Sequence, residues 1–225
     1  MNPNIPDELV AVRSPMSAFP SLGRGFMILQ SILPPPLFTS LYPVLLRLCD
    51  YTIAIHNYVE GTAQAQSVSI LADERNFVQH NLMSLESRGR ELDLRQEHPL
   101  YELCRLAAMV YSLTVVFPLP STTAPFDTLE ARMKYLMSNE IVAARWNEAP
   151  HLMLWITVMA AIAAVTSTDR TWLVCILDRL ISRIGLKSWL EMRESLQKYL
   201  WFDSTNDVDG IRLWEEIERS SPFTA

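Results

Sequence analysis

Prolines divide this chain into short segments, most of which carry apolar residues at helical spacing. Proline is tolerated in the first turn of a helix, where its missing N–H costs nothing, but it disrupts a helix interior. Pro99, Pro125 and Pro150 each precede such a segment, so we expect helices to begin near them. The sequence has only 6 glycines among 225 residues, and a many-stranded β fold needs more positive-φ turns than these can supply. We therefore predict an all-α fold of about eight helices around an apolar core or pocket.

The predicted helices are expected to form one globular domain. Residues 1–20 contain prolines, acids and scattered apolar side chains, and we expect a loose N-terminal arm there. Residues 21–220 are predicted to be a single all-helical domain, because the charged linker at 88–97 does not separate two segments that could each build a core. The chain is 49% hydrophobic, which argues against disorder and suffices for one well-buried core.

No segment is predicted to span a membrane or to direct secretion. The most apolar run, 152–165, is 14 residues long, whereas a spanning helix needs about 20, so we expect a helix buried within the protein. The N-terminus lacks the basic start and apolar run of a signal peptide. Three scattered cysteines indicate a reducing compartment. We therefore expect an intracellular, cytoplasmic protein, or a nuclear one if it regulates transcription.

Charge and missing motifs narrow the function. A formal net charge of −6 argues against direct nucleic-acid binding, which requires clustered lysine and arginine. The sequence contains no phosphate-binding loop, dinucleotide fingerprint or nucleophile elbow. Its 4 histidines lack the i, i+4 spacing of a helix-borne metal site. We therefore expect neither a metal ion nor a cofactor.

Tryptophan and methionine are frequent enough to line an apolar ligand pocket. The chain has 6 tryptophans and 10 methionines, and ligand pockets are lined mainly by aromatic and aliphatic side chains. The predicted substrate-binding residues are Trp155, Trp172, Met159 and Met109. The competing interpretation places each of them in the core, and for any single tryptophan that interpretation is the stronger one.

Three polar residues within or beside the apolar helices are candidates for catalysis. Tyr111 and Arg105 belong to the helix after Pro99, and His151 lies at the start of the most apolar helix. Each could donate a hydrogen bond to a carbonyl on which charge develops, and His151 could also act as a base. The structural alternatives are a buried ion pair for Arg105 and a local backbone contact for His151.

A series of short motifs resembles a known family through its order and spacing. The motifs are Leu22-Gly-Arg-Gly-Phe26, Glu74-Arg-Asn, Gln79-His80, His98-Pro-Leu with Glu102 and Cys104-Arg-Leu-Ala-Ala, Phe117-Pro-Leu-Pro120, Leu154-Trp155, Asp169-Arg with Trp172, Ser188-Trp189, Leu200-Trp201 and Leu213-Trp214. The chain resembles the fungal-specific transcription factor domain, the helical region that follows the zinc cluster in binuclear-cluster regulators. The resemblance spans about residues 20–218.

The resemblance implies an all-helical regulatory domain with no agreed catalytic residues. Such regulators carry a six-cysteine zinc cluster, and this sequence has 3 cysteines in total, so we expect a stand-alone domain without the cluster or a fragment of a longer regulator. Met159, Ala160 and Ala161 stand where the family usually has glycines.

Three functions are compatible with the sequence, and we favour the first, because a regulatory domain without its DNA-reading module has no output of its own whereas a pocket alone can catalyse. The first is a cofactor-free cyclase or isomerase of pericyclase type, catalysing for example an intramolecular cycloaddition in terpenoid or polyketide metabolism, because holding a flexible apolar substrate in a reactive conformation can accelerate its reaction. The alternative is a ligand-sensing or protein-interaction regulatory domain that has lost its DNA-binding zinc cluster. A third is a competitor that dimerises with intact regulators. The expected partner is an apolar small molecule, and a homodimer is open.

Overall fold

The computed structural model describes residues 19–91, 98–120, 124–164 and 168–220. These residues form helices and no strand, which confirms the predicted all-α fold. In the described ranges the α-helices are α1 (Leu29–Ile32), α2 (Pro35–Val59), α3 (Val68–Glu91), α4 (Pro99–Tyr111), α5 (Phe126–Met137), α6 (Glu140–Glu148), α7 (Pro150–Ala163), α8 (Arg170–Ile184), α9 (Trp189–Leu196) and α10 (Asp203–Ser220). A 3-10 helix, Arg24–Ile28, precedes α1, and a π-helical turn, Ser112–Val116, extends α4.

The helix boundaries differ from the predicted ones in two respects. The sequence pattern does not predict α1 and α6, because helices this short show little periodicity. The pattern also predicts that the last helix begins at Gly210, whereas α10 begins at Asp203. The earlier start is stabilised by Asn206, whose Oδ1 accepts a hydrogen bond from the backbone N–H of Phe202 at 3.0 Å and so satisfies a donor that the helix start leaves unpaired.

Most of the predicted N-terminal arm, 1–20, and of the charged linker, 88–97, lies outside the described residues. Residues 88–91 of that linker belong to α3. The arm boundary predicted at residue 20 stays a prediction.

Helix α7 lies at the centre of the fold. Every residue from Leu152 to Ala163 is buried, and the helix contacts α4, α5, α6, α8, α9 and α10. Since apolar residues cover all sides of α7, it can avoid water only when other helices surround it. The run that was too short to span a bilayer is therefore the core of the bundle.

Helix α4 with its π-helical extension is the second apolar element. In the described part of the chain, Pro99–Val116 is the one helical segment long and apolar enough to cross a membrane, yet 83% of it is buried inside the protein. Burial of this kind is typical of a core helix.

The segment before α1 is hydrogen-bonded to residues 198 and 199, between α9 and α10. The backbone N–H of Gly23 donates to the carbonyl of Tyr199 at 3.3 Å, and that of Gly25 donates to the carbonyl of Lys198 at 2.7 Å. A Cβ on Gly25 would lie 2.5 Å from Cζ of the Tyr199 ring, so only glycine permits this close approach. Phe26 is thereby inserted into the core, where it is fully buried.

Candidate functional site

Trp155 lies in the most deeply buried part of the bundle. Its side chain is fully buried, and its indole N–H donates to the carbonyl of Leu200 at 2.9 Å. The rings of Phe26 and Trp155 make an edge-to-face contact at a centroid distance of 5.1 Å, and the ring of Tyr199 stacks on the indole at 6.0 Å. These contacts engage both the polar edge of the indole and its apolar surface.

Tyr111 is also fully buried, and its hydroxyl is hydrogen-bonded within the protein. The Tyr111 and Thr52 hydroxyl oxygens are 2.7 Å apart, and Thr52 donates its own proton to the carbonyl of Leu48 at 2.8 Å. Tyr111 is therefore the donor in its bond with Thr52. Burial raises the pKa of Tyr111 well above its usual value, an effect that the Thr52 hydrogen bond partly opposes, so the phenol stays protonated.

We expect Tyr111→Phe to lower the free energy of unfolding by about 1–2 kcal/mol, because it leaves the buried Thr52 oxygen without its donor. Urea denaturation of the purified variants measures this loss. In the double variant Tyr111→Phe/Thr52→Val the loss should be smaller than the sum of the two single losses, since both partners are then apolar. Additive losses would contradict the hydrogen-bond assignment.

Arg105 forms an ion pair one turn away along α4. Its Nε and Nη2 donate to the two carboxylate oxygens of Glu102, each at 2.7 Å. The side chains are only 8% and 17% exposed, so the pair is largely removed from water. A bidentate arrangement of this kind fixes the guanidinium in position.

His151 is half-buried at the start of α7, and its Nδ1 lies 2.7 Å from the hydroxyl oxygen of Ser195 on α9. Burial, and secondarily the positive charge of Lys198, lower the pKa of His151. The imidazole is therefore neutral at physiological pH. Ser195 is buried as well, so this contact joins α7 to α9.

We expect the protein to lose stability as the pH falls below about 6.5, the ordinary histidine pKa. The unfolded chain binds a proton there, whereas folded His151 does not, so protonation favours unfolding. His98, whose pKa burial and Arg145 also lower, contributes in the same direction. Chemical denaturation at several pH values should show a weaker pH dependence for His151→Gln. The control His80→Gln, at an exposed position, should behave as the unmodified chain, and an unchanged slope in His151→Gln would contradict this account.

The other three predicted residues lie in different surroundings. Met159 is fully buried in the centre of α7, and Met109 on α4 is half-buried, with its sulfur 3.8 Å from the amide nitrogen of Gln79. Trp172 is also half-buried, on α8, and the ammonium of Lys134 lies 5.7 Å from its ring centroid. The contacts described here thus lead from the predicted residues to separate partners on several helices.

Two surface cavities are lined by residues outside the predicted set. The larger, about 260 Å³, lies between the α5–α6 region and α8 and is lined by Met137, Trp146, Ile176, Arg179, Leu180 and Arg183. The smaller, about 120 Å³, is lined by Ile162, Arg170, Asp209, Arg212, Leu213 and Glu216. Residues 176, 179, 180 and 183 follow the i, i+3, i+4, i+7 pattern of one helix face, and that spacing is a signal from which the sequence could have identified the larger cavity.

The sequence matches a known protein family over most of its length. Residues 39–220 match the model of the fungal specific transcription factor domain. The chain belongs to this family. No curated protein and no solved structure matches it significantly. The fungal specific transcription factor domain begins within α2 and ends with α10, so Phe26, which packs on Trp155, lies before the matched region.

Proposed function

We propose that this chain is the regulatory domain of a transcription regulator and acts by binding a partner or ligand rather than by catalysis. Its membership of the fungal specific transcription factor domain family carries this proposal, since that family is the helical regulatory region of such proteins. We expect it to act in the nucleus as part of a regulator complex.

The packing of the predicted site residues also favours regulation over cyclase or isomerase activity. A cyclisation catalyst has to present its hydrogen-bond donors to a cavity that admits the substrate. Tyr111 and Trp155 are fully buried, and their polar hydrogens are bonded to protein oxygens. The cavities of about 260 and 120 Å³ described above are also lined by other residues.

A tethering assay tests the proposal. The full chain is fused to an unrelated DNA-binding module, and transcription of a reporter gene with matching sites is measured. We expect reporter output to change several-fold relative to the module alone, because a regulatory domain brings its partner to the promoter. Unchanged output at equal nuclear abundance would contradict the proposal.

Two controls separate regulation from catalysis and from misfolding. The destabilised variant Trp155→Ala should lose the effect, whereas Val208→Ala, an exposed substitution on α10, should retain it. The purified chain is also incubated with apolar polyene precursors. A cyclised product formed faster than in buffer would overturn the regulatory proposal in favour of the cyclase hypothesis.

A further inference from the structure

The larger cavity is a groove lined by apolar side chains and two arginines. Ile176 and Leu180 of α8 and Trp146 of α6 supply apolar lining. Arg179 and Arg183 come from the same face of α8, four residues apart. The groove therefore offers an apolar surface and positive charge side by side.

The positive charge of this groove is not neutralised within the described part of the chain. Arg183 donates through Nη1 to the side-chain oxygen of Asn147 at 2.5 Å and to the carbonyl of Trp146 at 3.4 Å, and both acceptors are uncharged. Arg179 is exposed and has no partner among the described residues. No acidic side chain is among the described residues that line the groove. Two guanidinium groups without an acidic partner among the described residues thus lie together in this groove, on a chain of net charge −6.

The smaller cavity shows the contrast. Arg170 pairs there with both carboxylate oxygens of Glu216, at 2.8 and 3.0 Å, and Arg212 lies 3.7 Å from Asp209. Its charges are therefore matched by groups of this chain. Of these two cavities, the larger is the one whose arginines have no acidic partner in the described part of the chain.

We propose that the groove between α6 and α8 binds a small amphipathic carboxylate, with the carboxylate at Arg179 and Arg183 and an apolar body on Trp146, Ile176 and Leu180. A guanidinium matches a carboxylate with two parallel hydrogen bonds. The volume of about 260 Å³ is just below the range of about 300–1,000 Å³ typical of drug-sized ligands, so a medium-chain acid fits the size. This inference does not depend on the proposed regulatory role.

Titration with decanoate tests this assignment directly. Binding is followed through the indole N–H resonance of Trp146 in ¹H–¹⁵N spectra. This resonance is identified by its absence from the spectrum of Trp146→Phe. We expect saturable shifts of this resonance, and weaker binding at high salt because the charges are near the surface. The neutral analogue 1-decanol should bind about tenfold more weakly or worse, since it cannot form the charged hydrogen bonds.

Arginine variants separate this groove from non-specific binding. Arg179→Gln removes no contact within the described protein, and we expect it to weaken decanoate binding about tenfold; Arg179→Gln/Arg183→Gln should weaken it further. Arg212→Gln, at the smaller cavity, should leave binding unchanged. Equal binding of decanoate and 1-decanol, or no effect of the Arg179 substitution, would overturn the assignment. Binding of an acidic, hydrophobic peptide without binding of decanoate would also overturn the assignment. None of these outcomes changes the result expected in the tethering assay.

Discussion

Trp155→Ala should lower the free energy of unfolding by about 3–5 kcal/mol, the range for removing a fully buried large aromatic side chain. The loss has two sources. Truncating the side chain leaves a cavity and removes the contacts with Phe26 and Tyr199. The buried carbonyl of Leu200 also loses the indole donor that lies 2.9 Å away. Urea denaturation followed by far-ultraviolet circular dichroism measures the effect. Trp155→Phe should cost less, because it keeps an aromatic ring in place and loses chiefly the hydrogen bond.

The matched control for Trp155 is a tryptophan in a different environment. Trp172 is half-buried on α8 and carries a lysine over its ring. Trp172→Ala exposes no comparable cavity, so we expect less than half the loss of Trp155→Ala. Equal losses at the two positions would show that Trp155 does not have the central packing role described here.

Gly210→Ala should destabilise the protein by about 1–3 kcal/mol through overpacking. This sign is the reverse of the usual one, since alanine is favoured over glycine in a helix interior by about 1 kcal/mol. A Cβ at this position would collide with the Trp189 ring and lie 2.9 Å from Cζ2 of Trp201. Trp201 has little freedom to move, because it is fully buried and its indole N–H donates to Asp207 at 2.8 Å.

Two further variants test the Gly210 contact. Val208→Ala, on the same helix but 56% exposed, should change the stability by less than about 0.5 kcal/mol. Trp189→Phe removes the ring atoms that the new methyl group would meet, so Gly210→Ala should cost less in the Trp189→Phe background than in the unmodified chain. A stabilising Gly210→Ala would contradict the close packing of α10 on these two rings.

Local sequence rules account for most of the helical architecture. Pro99 and Pro150 begin α4 and α7 as predicted, and the capping box at Ser188 begins α9, where the Ser188 hydroxyl accepts from the N–H of Glu191 at 3.3 Å. The predicted start of α10 at Gly210 was wrong, because Asp209 followed by Gly210 resembles a helix boundary. Position 210 requires glycine because Trp189 and Trp201 pack closely against it. This tertiary contact is not encoded in the local sequence.

The candidate site was less accessible to sequence reasoning. Apolar spacing correctly indicates that Trp155 and Met159 face other helices, but whether a cavity remains between them depends on how those helices pack. The groove on α8 shows the same limitation, because the sequence reveals the spacing of its arginines but not their partners. The spacing of Arg179 and Arg183 can be read from the sequence, but that no described residue gives them an acidic partner follows only from the folded arrangement of α6 and α8.

The contacts between the start of the chain and residues 198–200 also constrain how the protein folds during synthesis. Gly23, Gly25 and Phe26 are synthesised long before their partners Lys198 and Tyr199. The hydrogen bond from the Trp155 indole likewise cannot form until Leu200 has been synthesised. The apolar surface of α7 is therefore incompletely covered from its own synthesis until residues 198–200 have been made, and an apolar surface exposed on a nascent chain favours aggregation in competition with folding. The core around Trp155 can therefore close only after residues 198–200 have been synthesised.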